Sequence, residues 1–597
     1  MVTEMTKYDF ILLSGDMDGF MKRLQSAGVV DITRSTKPID NQSEALAQRA
    51  ETLRQALNIL KGIEKSSPEA VRSVNPADDV VSVSRNKNEI AEKLPTLAKE
   101  MEQKMPWGQF DSNAIERIEQ LGLKPHFYKA KTTLFDNDWT EKHNVSIIST
   151  DKDNTYFVIL SDDDDFAFPL KEEPRPNGSY LETEKEIGRL NDELATANQR
   201  LSELKSREDD IRAELNTTLA DLDLYLANAS GSKAAENHIT VVEGFAPKEN
   251  DNALRQMLDK EQVFYLVDEA KEADNPPIKL KNNKFVSMFE VLTDMYGRPK
   301  YDEFDPTVWI SLFFMLFFAF CMGDAGYGLV LVIAGLAMKK MLGKLTPLVV
   351  TLGVATTVIG LFFHTFFSTD MLQWSVIPDA VKRLMLPSQI AGYDGTMVLA
   401  IVVGIVHLCL AMIVKTYQAT KTKGFANSLG TWGWTLLIVG GVIVGGMALI
   451  GVIDSAVTKW ILIALGIVSA IGIFLLNDIH RNPLINIGSG LWDTYNTATG
   501  LLGDVLSYLR LYALGLAGAK LGEAFNAIAT QALGDGGIGW VPFVLIVVVG
   551  HALNIAMCVL GAFVHPLRLN FLEFFKNSGY EGTGRKYNPL TENEINN

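Results

Sequence analysis

The sequence predicts a two-part membrane protein: amino-terminal cytosolic α+β lobes on an antiparallel coiled-coil stalk, then an all-α domain of eight transmembrane helices. The first observation behind this prediction is the uneven distribution of charge. Between residues 307 and 576 there are 14 Lys and Arg against 11 Asp and Glu. The remaining 41 Lys and Arg and 60 Asp and Glu lie outside that range. The second is that the long apolar runs are confined to those same residues. An acidic soluble part therefore joins a slightly basic membrane part.

We divide the chain accordingly into a cytosolic collar and stalk (1–275), a proline-marked linker (276–306), the transmembrane domain (307–576) and a cytosolic tail (577–597). The acidity of the soluble part argues against nucleic-acid binding, which requires Lys and Arg to neutralise phosphates. The three cysteines lie in apolar segments, which argues against an extracellular disulfide framework. The first ten residues carry charges and no apolar signal-peptide core, so we expect the soluble part to stay in the cytosol.

Two stretches of the soluble part, 8–32 and 239–267, follow the order strand, helix, strand. We expect each of them to form a small α/β lobe. A βαβ outline of this kind is common, and it specifies no chemistry by itself.

Apolar residues at alternating steps of three and four predict the coiled coil between the lobes. The positions are Leu46, Ala50, Leu53, Leu57 and Leu60; Ile90, Leu94, Leu97 and Met101; and Ile187, Leu190, Leu194, Ala197, Leu201, Leu204, Ile211 and Leu215, with Glu208 as an interruption. These stretches flank a β-like middle part (126–168), so the chain can run out along one strand of the stalk and back along the other. The alternative is a set of separate surface helices.

Eight apolar segments follow the linker, each close to or above the ~20 residues that a helix needs to cross a bilayer. They are 307–323, 326–341, 346–367, 395–414, 429–453, 456–476, 487–527 and 540–576. The seventh has roughly 40 residues, or ~60 Å of helix, and the eighth is nearly as long. Because the hydrocarbon core is only ~30 Å thick, these two helices must tilt steeply, break or protrude.

Charges in the loops predict the orientation through the positive-inside rule. With a cytosolic amino terminus, the cytosolic ends carry Lys339, Lys340, Lys344, Lys415, Lys421, Lys423, Arg481, Lys576, Arg585 and Lys586. The opposite loops carry Asp324, Asp370, Asp379, Asp454 and Asp535, with Lys382, Arg383 and Lys459 as exceptions. Both termini are therefore expected in the cytosol.

Arg510 is the most informative residue, because it lies in the middle of the seventh apolar segment. A charge at the bilayer centre costs at least ~2.5–3.5 kcal/mol and is a candidate functional group by default. Arginine stays protonated, so it can act only as a fixed positive charge. The structural alternative is a buried ion pair with Asp504 or Glu523, although both are poorly placed on the same helix.

A polar stripe at helical spacing marks the eighth segment. It consists of His551, Asn554, Cys558, Gly561, His565 and Arg568. The stripe is typical of a hydrated pathway, and hydrogen bonding between helices is the alternative. Arg568 could instead snorkel to the interface. Lys520 and Glu523 fit either a polar vestibule or interfacial anchoring, and the lone His364 and His407 are more typical of packing residues.

Several motifs resemble the membrane subunit a, or subunit I, of rotary V/A-type ATPases. They are Ser507-Tyr508-Leu509-Arg510-Leu511-Tyr512-Ala513-Leu514, Lys284-Phe285-Val286 with Met288–Gly297, Met322-Gly323-Asp324-Ala325-Gly326-Tyr327-Gly328, and His565–Phe574. The motifs lie mostly in the membrane half, and the pattern is similar to bacterial or archaeal members. No G-x-x-x-x-G-K-[ST] loop is present, so we expect no ATP hydrolysis by this chain itself.

The resemblance implies that Arg510 is the stator arginine facing the membrane carboxylates of a rotating proteolipid (c/K) ring. Arg568 matches a second arginine of the family. Two half-channels would carry H⁺ or Na⁺, with candidate lining residues Asp504, Ser507, Glu523, His551, Asn554, Cys558, His565 and Glu573. Implied partners are the ring, E/G-type peripheral stalks at the lobes, the central stalk, the ATP-binding A/B subunits and membrane lipid of a prokaryotic plasma membrane. No cofactor is expected in this chain.

The sequence departs from eukaryotic members of that family at three polar positions. Asn496, Gly518 and Cys558 stand where those members have glutamate, histidine and glutamate. The polar lining therefore cannot be transferred from them. An alternative function is a stand-alone secondary transporter or channel with a cytosolic coiled coil, although such transporters usually contain inverted repeats.

Overall fold

The structure is a computed structural model that describes residues 1–592 except 36, 65–72, 110–111, 137, 163–165, 175–178, 235, 237, 375–376, 384, 391, 477–482 and 534–538. Arg481 and Asp535 of the orientation argument lie outside the described residues. The chain forms two compact units. One comprises Met1–Ile11 and Glu243–Asn588, the other Leu12–Val242 and Pro589–Asn597.

The amino-terminal region is mixed α and β. Its elements are β1 Met5–Leu13, α1 Met17–Ala27, β2 Asp31–Ile32, α2 Asn41–Leu60, α3 Pro76–Lys104, α4 Ser112–Gln120, β3 Lys124–Lys131, α5 Asp138–Lys142, β4 Val145–Thr150, β5 Asn154–Ser161, α6 Tyr180–Leu204, α7 Glu208–Ala229, β6 Ser232–Ala234, β7 Ile239–Pro247, α8 Asp251–Lys260 and β8 Phe264–Glu269. An α+β amino-terminal region is thus confirmed.

The two strand–helix–strand segments contribute to one sheet, with the strand order β2-β7-β1-β8 and β6 against β7. β1 and β8 pair antiparallel, with Thr6 opposite Glu269 and Ile11 opposite Phe264. The prediction of one separate lobe for each segment is therefore wrong, because alternating strands cannot reveal which distant strand they pair with. A second sheet has three strands in the order β3-β5-β4, and Phe157 on its central strand is buried.

Four helices of the second unit pack in antiparallel pairs. Arg49 of α2 lies 2.6 Å from Glu214 of α7, and Lys104 at the end of α3 hydrogen-bonds Thr183 near the start of α6 at 3.1 Å. Their apolar faces meet in a core that includes Leu53, Leu60, Ala77, Val80, Leu201, Leu204 and Ile211. The helix breaks between α6 and α7 at the predicted interruption, where a hydrogen bond from Lys205 lowers the pKa of Glu208. An extended coiled-coil stalk stays a prediction.

The carboxy-terminal region is almost entirely helical. Its elements are α9 Lys284–Ser287, α10 Glu290–Tyr296, α11 Thr307–Met322, α12 Ala325–Ala337, α13 Lys339–Leu342, α14 Thr346–Phe362, β9 Thr365–Phe366, β10 Thr369–Asp370, α15 Asp379–Lys382, β11 Gln389–Ile390, β12 Tyr393–Asp394, α16 Gly395–Lys423, α17 Leu429–Leu449, α18 Ser455–Phe474, α19 Pro483–Leu533, α20 Trp540–Arg568 and α21 Phe575–Ser578. A π-helical segment, Leu569–Phe574, joins α20 to α21.

Six of the described helices are long and apolar enough to cross a membrane, or seven spans if α11 and α12 together count as one. The predicted eight separate spans are not found. α11 and α12 have only 16 and 13 residues, about 24 and 20 Å of helix, and they bend by 119° relative to one another. Each is therefore shorter than the ~30 Å hydrocarbon core.

Two residues between α11 and α12 make this bend. Gly323 ends α11 in the left-handed conformation, with φ of 54°, and its N–H donates to the Ala319 carbonyl. The Asp324 side chain then caps α12 by accepting from the N–H groups of Gly326 and Tyr327. The apolar segments 307–323 and 326–341 lie on either side of this break, so composition alone counts two spans.

α11 lies at the centre of the helical core. Eleven of its 16 residues are buried, including Phe313, Phe314 and Phe317, and it packs against α14, α19 and α20. A helix that is apolar on every side is typical of a protein core or of a membrane span, and the burial of α11 places it in the core.

The proline-marked segment 276–306 is hydrogen-bonded to the first residues of the chain and to the carboxy-terminal tail. Thr3 donates its N–H to the Lys279 carbonyl at 2.9 Å, and Tyr580 donates its hydroxyl to the Gly297 carbonyl at 2.7 Å. The Arg298 guanidinium ion-pairs with Asp294 and also donates to the Ile278 carbonyl. This segment is thus an ordered junction of three chain segments.

Candidate functional site

α19 and α20 pack against each other in opposite directions and bring the sequence-predicted residues together. Asn554 donates to the Gly518 carbonyl at 2.9 Å, and Asn577, beyond α20, donates to the Asp504 carboxylate at 2.7 Å. The polar side chains form two groups on opposite sides of Arg510 along α19. The Asp504 cluster consists of Asp504, Ser507, His565 and Glu573, and the Tyr327 cluster consists of Tyr327, Asn526, His551, Asn554 and Cys558.

The Arg510 guanidinium has no anionic partner within 4.0 Å among the residues that the structure describes, and its buried Nη1 has no hydrogen bond there. Both of the ion-pair partners considered from the sequence are engaged elsewhere. Asp504 binds Asn577 and lies 3.7 Å from the Lys576 ammonium, whereas Glu523 pairs with Lys520 at 2.7 Å. The hypothesis of a structural pair with either carboxylate is therefore wrong. The charge of Arg510 is not neutralised by these groups.

Glu573 is the most buried carboxylate of the Asp504 cluster, with 4% of its surface exposed. It interacts with the Ser507 hydroxyl and, electrostatically, with Arg510, yet its Oε2 has no hydrogen-bond partner in the described part of the chain. Glu573 is carried by the π-helical segment that follows Pro566 of α20. Wide turns of this kind occur often at functional sites, because they redirect side chains within a helix.

The two basic residues that the sequence singles out on α20, His565 and Arg568, differ in their exposure. His565 is partly buried and interacts electrostatically with both Arg510 and Arg568. Arg568 is exposed, and it makes no ion pair with any residue that the structure describes. Exposure of Arg568 fits snorkelling as well as a role in ion transfer.

A continuous set of hydrogen bonds holds the Tyr327 cluster together. The Tyr327 hydroxyl lies 2.8 Å from His551 Nδ1 and accepts from the Asn554 amide at 2.8 Å. His551 Nε2 lies 2.9 Å from Asn526 Oδ1, which can only accept, so Nε2 donates that hydrogen bond. The Cys558 thiol donates to Asn554 at 3.5 Å.

Two cavities adjoin these clusters. A cavity of about 730 Å³ borders the Tyr327 cluster through Asn526, and its other lining residues include Asp370, Asp394, Lys520 and Glu523. A smaller cavity of about 120 Å³ is lined mainly by apolar groups between the clusters, including Leu514, Leu521, Met557 and Cys558. Glu523 thus lines the larger cavity, although it lies outside the hydrogen-bonded cluster.

Sequence reasoning missed three residues of this site. Tyr327 and Asp324 belong to one of the motifs that carry the resemblance, and Asn526 follows Glu523 by three positions, which places both on one face of α19. The Asp324 carboxylate accepts from four backbone N–H groups: those of Gly326, Tyr327, Phe367 and Ser368. In the sequence, an aspartate between glycines within an apolar region was the feature that could have indicated a helix N-cap.

Comparison with known proteins identifies relatives of this chain. Residues 25–347 and 498–591 match the V-type ATPase 116 kDa subunit family. The A-type ATP synthase subunit I of Methanocaldococcus jannaschii is 31% identical over 389 residues, which are 59% of this chain and 55% of that protein. The V-type ATP synthase subunit I 1 of Treponema pallidum is 25% identical, over 99% of this chain and all of that protein.

A further relative is the V-type ATP synthase subunit I of Borreliella burgdorferi, which is 24% identical over 99% of both chains. The family match includes the segment with Arg510, every residue of both polar clusters, and most of the amino-terminal region. The chain therefore belongs to the V-type ATPase 116 kDa subunit family.

Proposed function

We propose that this chain is the stator membrane subunit of a rotary V/A-type ATPase, in which it passes H⁺ or Na⁺ to and from the carboxylates of a rotating proteolipid ring. Partner subunits would bind and hydrolyse or synthesise ATP, because the sequence has no phosphate-binding loop of the P-loop type. The observation that carries the proposal is the Arg510 guanidinium, which is embedded in an apolar helix and has no anion within ion-pair distance in the described chain.

The face of α19 that carries Arg510 is suited to a second chain. Gly503, Leu506 and Ala517 lie within about 40° of Arg510 around the helix, and all three are exposed. Small residues next to a charge allow another helix to approach closely, and a carboxylate on that helix would then neutralise the arginine. This arrangement supports contact with a ring carboxylate.

The two clusters fit two separate ion pathways. The Asp504 cluster would open to the side of Lys576, and the Tyr327 cluster would open to the opposite side through the 730 Å³ cavity. Between them, Arg510 would block direct leakage and displace an ion from each arriving carboxylate. On this proposal Asp504, Ser507, His565 and Glu573 line one half-channel, and Glu523, His551, Asn554 and Cys558 line the other, with Arg568 near the first.

The proposal extends to location and partners. We infer a multi-pass subunit of a prokaryotic plasma membrane with both termini in the cytosol, held by E/G-type peripheral stalks at its amino-terminal region. The A/B catalytic head and the central stalk would complete the complex. The exposed apolar residues of α17 and α18, such as Ile443 and Ile467, suit contact with lipid.

The test is purification of the complex from membranes, followed by reconstitution into vesicles. We expect this chain to co-purify with a small proteolipid and an ATP-hydrolysing head, and we expect ATP to drive uptake of either H⁺ or Na⁺. A stand-alone transporter would purify without these partners, and ATP would then drive no uptake. That result would contradict the proposal.

A further inference from the structure

Tyr508 lies in a fitted socket on α16, two residues before Arg510. Its side chain is completely buried, and its hydroxyl lies 2.9 Å from Nδ1 of His407. One turn earlier on α16, a Cβ at position 404 would lie 2.4 Å from Cγ of Tyr508, so only glycine leaves room for the ring. Gly404 and His407 therefore contact the ring and the hydroxyl of the same tyrosine.

His407 is held rigidly by aromatic rings. It stacks on Phe574 with centroids 4.6 Å apart and planes 7° apart, and it also contacts Phe313 at 4.1 Å. Phe317 meets its edge at 5.1 Å. Its Nε2 is buried without a hydrogen-bond partner in the described part of the chain. A proton relay needs a second polar neighbour on that nitrogen, so the surroundings favour a fixed support for Tyr508.

Helix geometry connects this socket to Arg510. Two positions along an α-helix are separated by about 200°, so a Tyr508 that faces α16 directs Arg510 to nearly the opposite side of α19. Rotation of α19 by only about 20° would move the end of a long arginine side chain by about 3 Å. A displacement of this size is enough to misplace a fixed charge relative to its target.

We propose that Gly404 and His407 are positioning residues, which hold Tyr508 and thereby set the rotation of α19 at which Arg510 faces the ring. The inference rests on the proposed function, since it concerns the same arginine. It adds α16 to the machinery of ion transfer, although neither of its two residues touches the transported ion.

The first test is Gly404→Ala in the assembled complex, with Gly441→Ala as the matched control. The added methyl group at position 404 must displace Tyr508, whereas a Cβ at position 441 would meet no atom within 4 Å. We expect ion uptake per ATP hydrolysed to fall by about tenfold or more in Gly404→Ala and to stay at the wild-type level in Gly441→Ala. Wild-type coupling in a fully assembled Gly404→Ala complex would overturn the proposal.

The second test uses the hydrogen bond and decides alone if Gly404→Ala fails to assemble. His407→Phe retains the aromatic packing but leaves the buried Tyr508 hydroxyl unpaired, whereas His407→Phe combined with Tyr508→Phe removes both polar partners. We expect the single variant to lose coupling by about threefold to tenfold and the double variant to recover most of it. A double variant no better than His407→Phe would contradict a positioning role.

These results are distinguishable from failure of the proposed function. If the proposed function is wrong, the wild-type complex itself shows no ATP-driven uptake of either ion. If only the positioning role of Gly404 and His407 is wrong, the wild-type complex pumps, and the variants at positions 404, 407 and 508 take up as many ions per ATP hydrolysed as the wild type does.

Discussion

Replacement of Arg510 by glutamine is expected to abolish ATP-driven ion uptake while the complex stays assembled. Glutamine has a similar length and can hydrogen-bond, but it cannot attract a ring carboxylate. Because the guanidinium has no anion within ion-pair distance in the described chain, its removal leaves no such carboxylate unpaired, and the fold should tolerate the change. Loss of a preorganised charge from a water-excluded site typically costs about a hundredfold to a thousandfold in rate.

The measurement is uptake of H⁺ and of Na⁺ into vesicles at equal amounts of assembled complex. Arg568→Gln is the comparison variant, since Arg568 is exposed and lies toward the end of α20. We expect a much smaller loss for Arg568→Gln than for Arg510→Gln. If Arg510→Gln pumps at more than about a tenth of the wild-type rate, the residue is not the fixed charge of the ion path.

Asp324→Ala is expected to cause the largest loss of stability among single substitutions in the helical domain. The buried carboxylate accepts from four backbone N–H groups, two at the start of α12 and two in the β9–β10 hairpin. Alanine would leave all four donors without this acceptor. A buried donor without a partner costs about 1–3 kcal/mol, and a hydrogen bond to a charged group contributes about 1.5–3 kcal/mol.

Thermal unfolding of the purified complex in detergent measures this effect. Asp454→Ala is the matched control, because Asp454 precedes α18 but makes no side-chain capping bond and is exposed. Asp324→Asn should fall between the two, since one amide oxygen can still accept. Equal unfolding temperatures for Asp324→Ala and Asp454→Ala would show that the bend between α11 and α12 does not depend on this carboxylate.

Arg510 stood out as a candidate in the sequence because the energetic cost of its charge in an apolar segment does not depend on other parts of the chain. A charge in an apolar run is visible without knowledge of any neighbour, and so is the stripe from His551 to Arg568 at helical spacing. Tyr327 was not predictable in this way, because tyrosine is common at membrane interfaces and its role arises from contacts with His551 and Asn554, more than two hundred positions away.

The fold shows the same division between local and distant causes. Helix periodicity and apolar length indicate α16 to α20 correctly, since each of them satisfies its own backbone. The pairing of β1 with β8 depends on strands more than 250 positions apart, and it replaced the predicted separate lobes. α11 and α12 were counted as spans because apolar composition hides the capping bonds of Asp324, which decide where each helix ends.

The most direct test of the two-pathway account is the sidedness of thiol labelling on either side of Arg510. In a complex whose Cys321, Cys409 and Cys558 are replaced, single cysteines at Ser507 and Asn526 would be treated with a membrane-impermeant reagent from each face of the membrane. Ile467→Cys, on the exposed apolar surface of α18, is the control that should react from neither.

We expect Ser507→Cys to react only from the cytosolic face and Asn526→Cys only from the opposite face. Both cysteines should react without ATP, because the two polar clusters are already formed in the chain when no ATP is hydrolysed. Reaction of both cysteines from the same face, or of neither, would contradict two separate half-channels around Arg510.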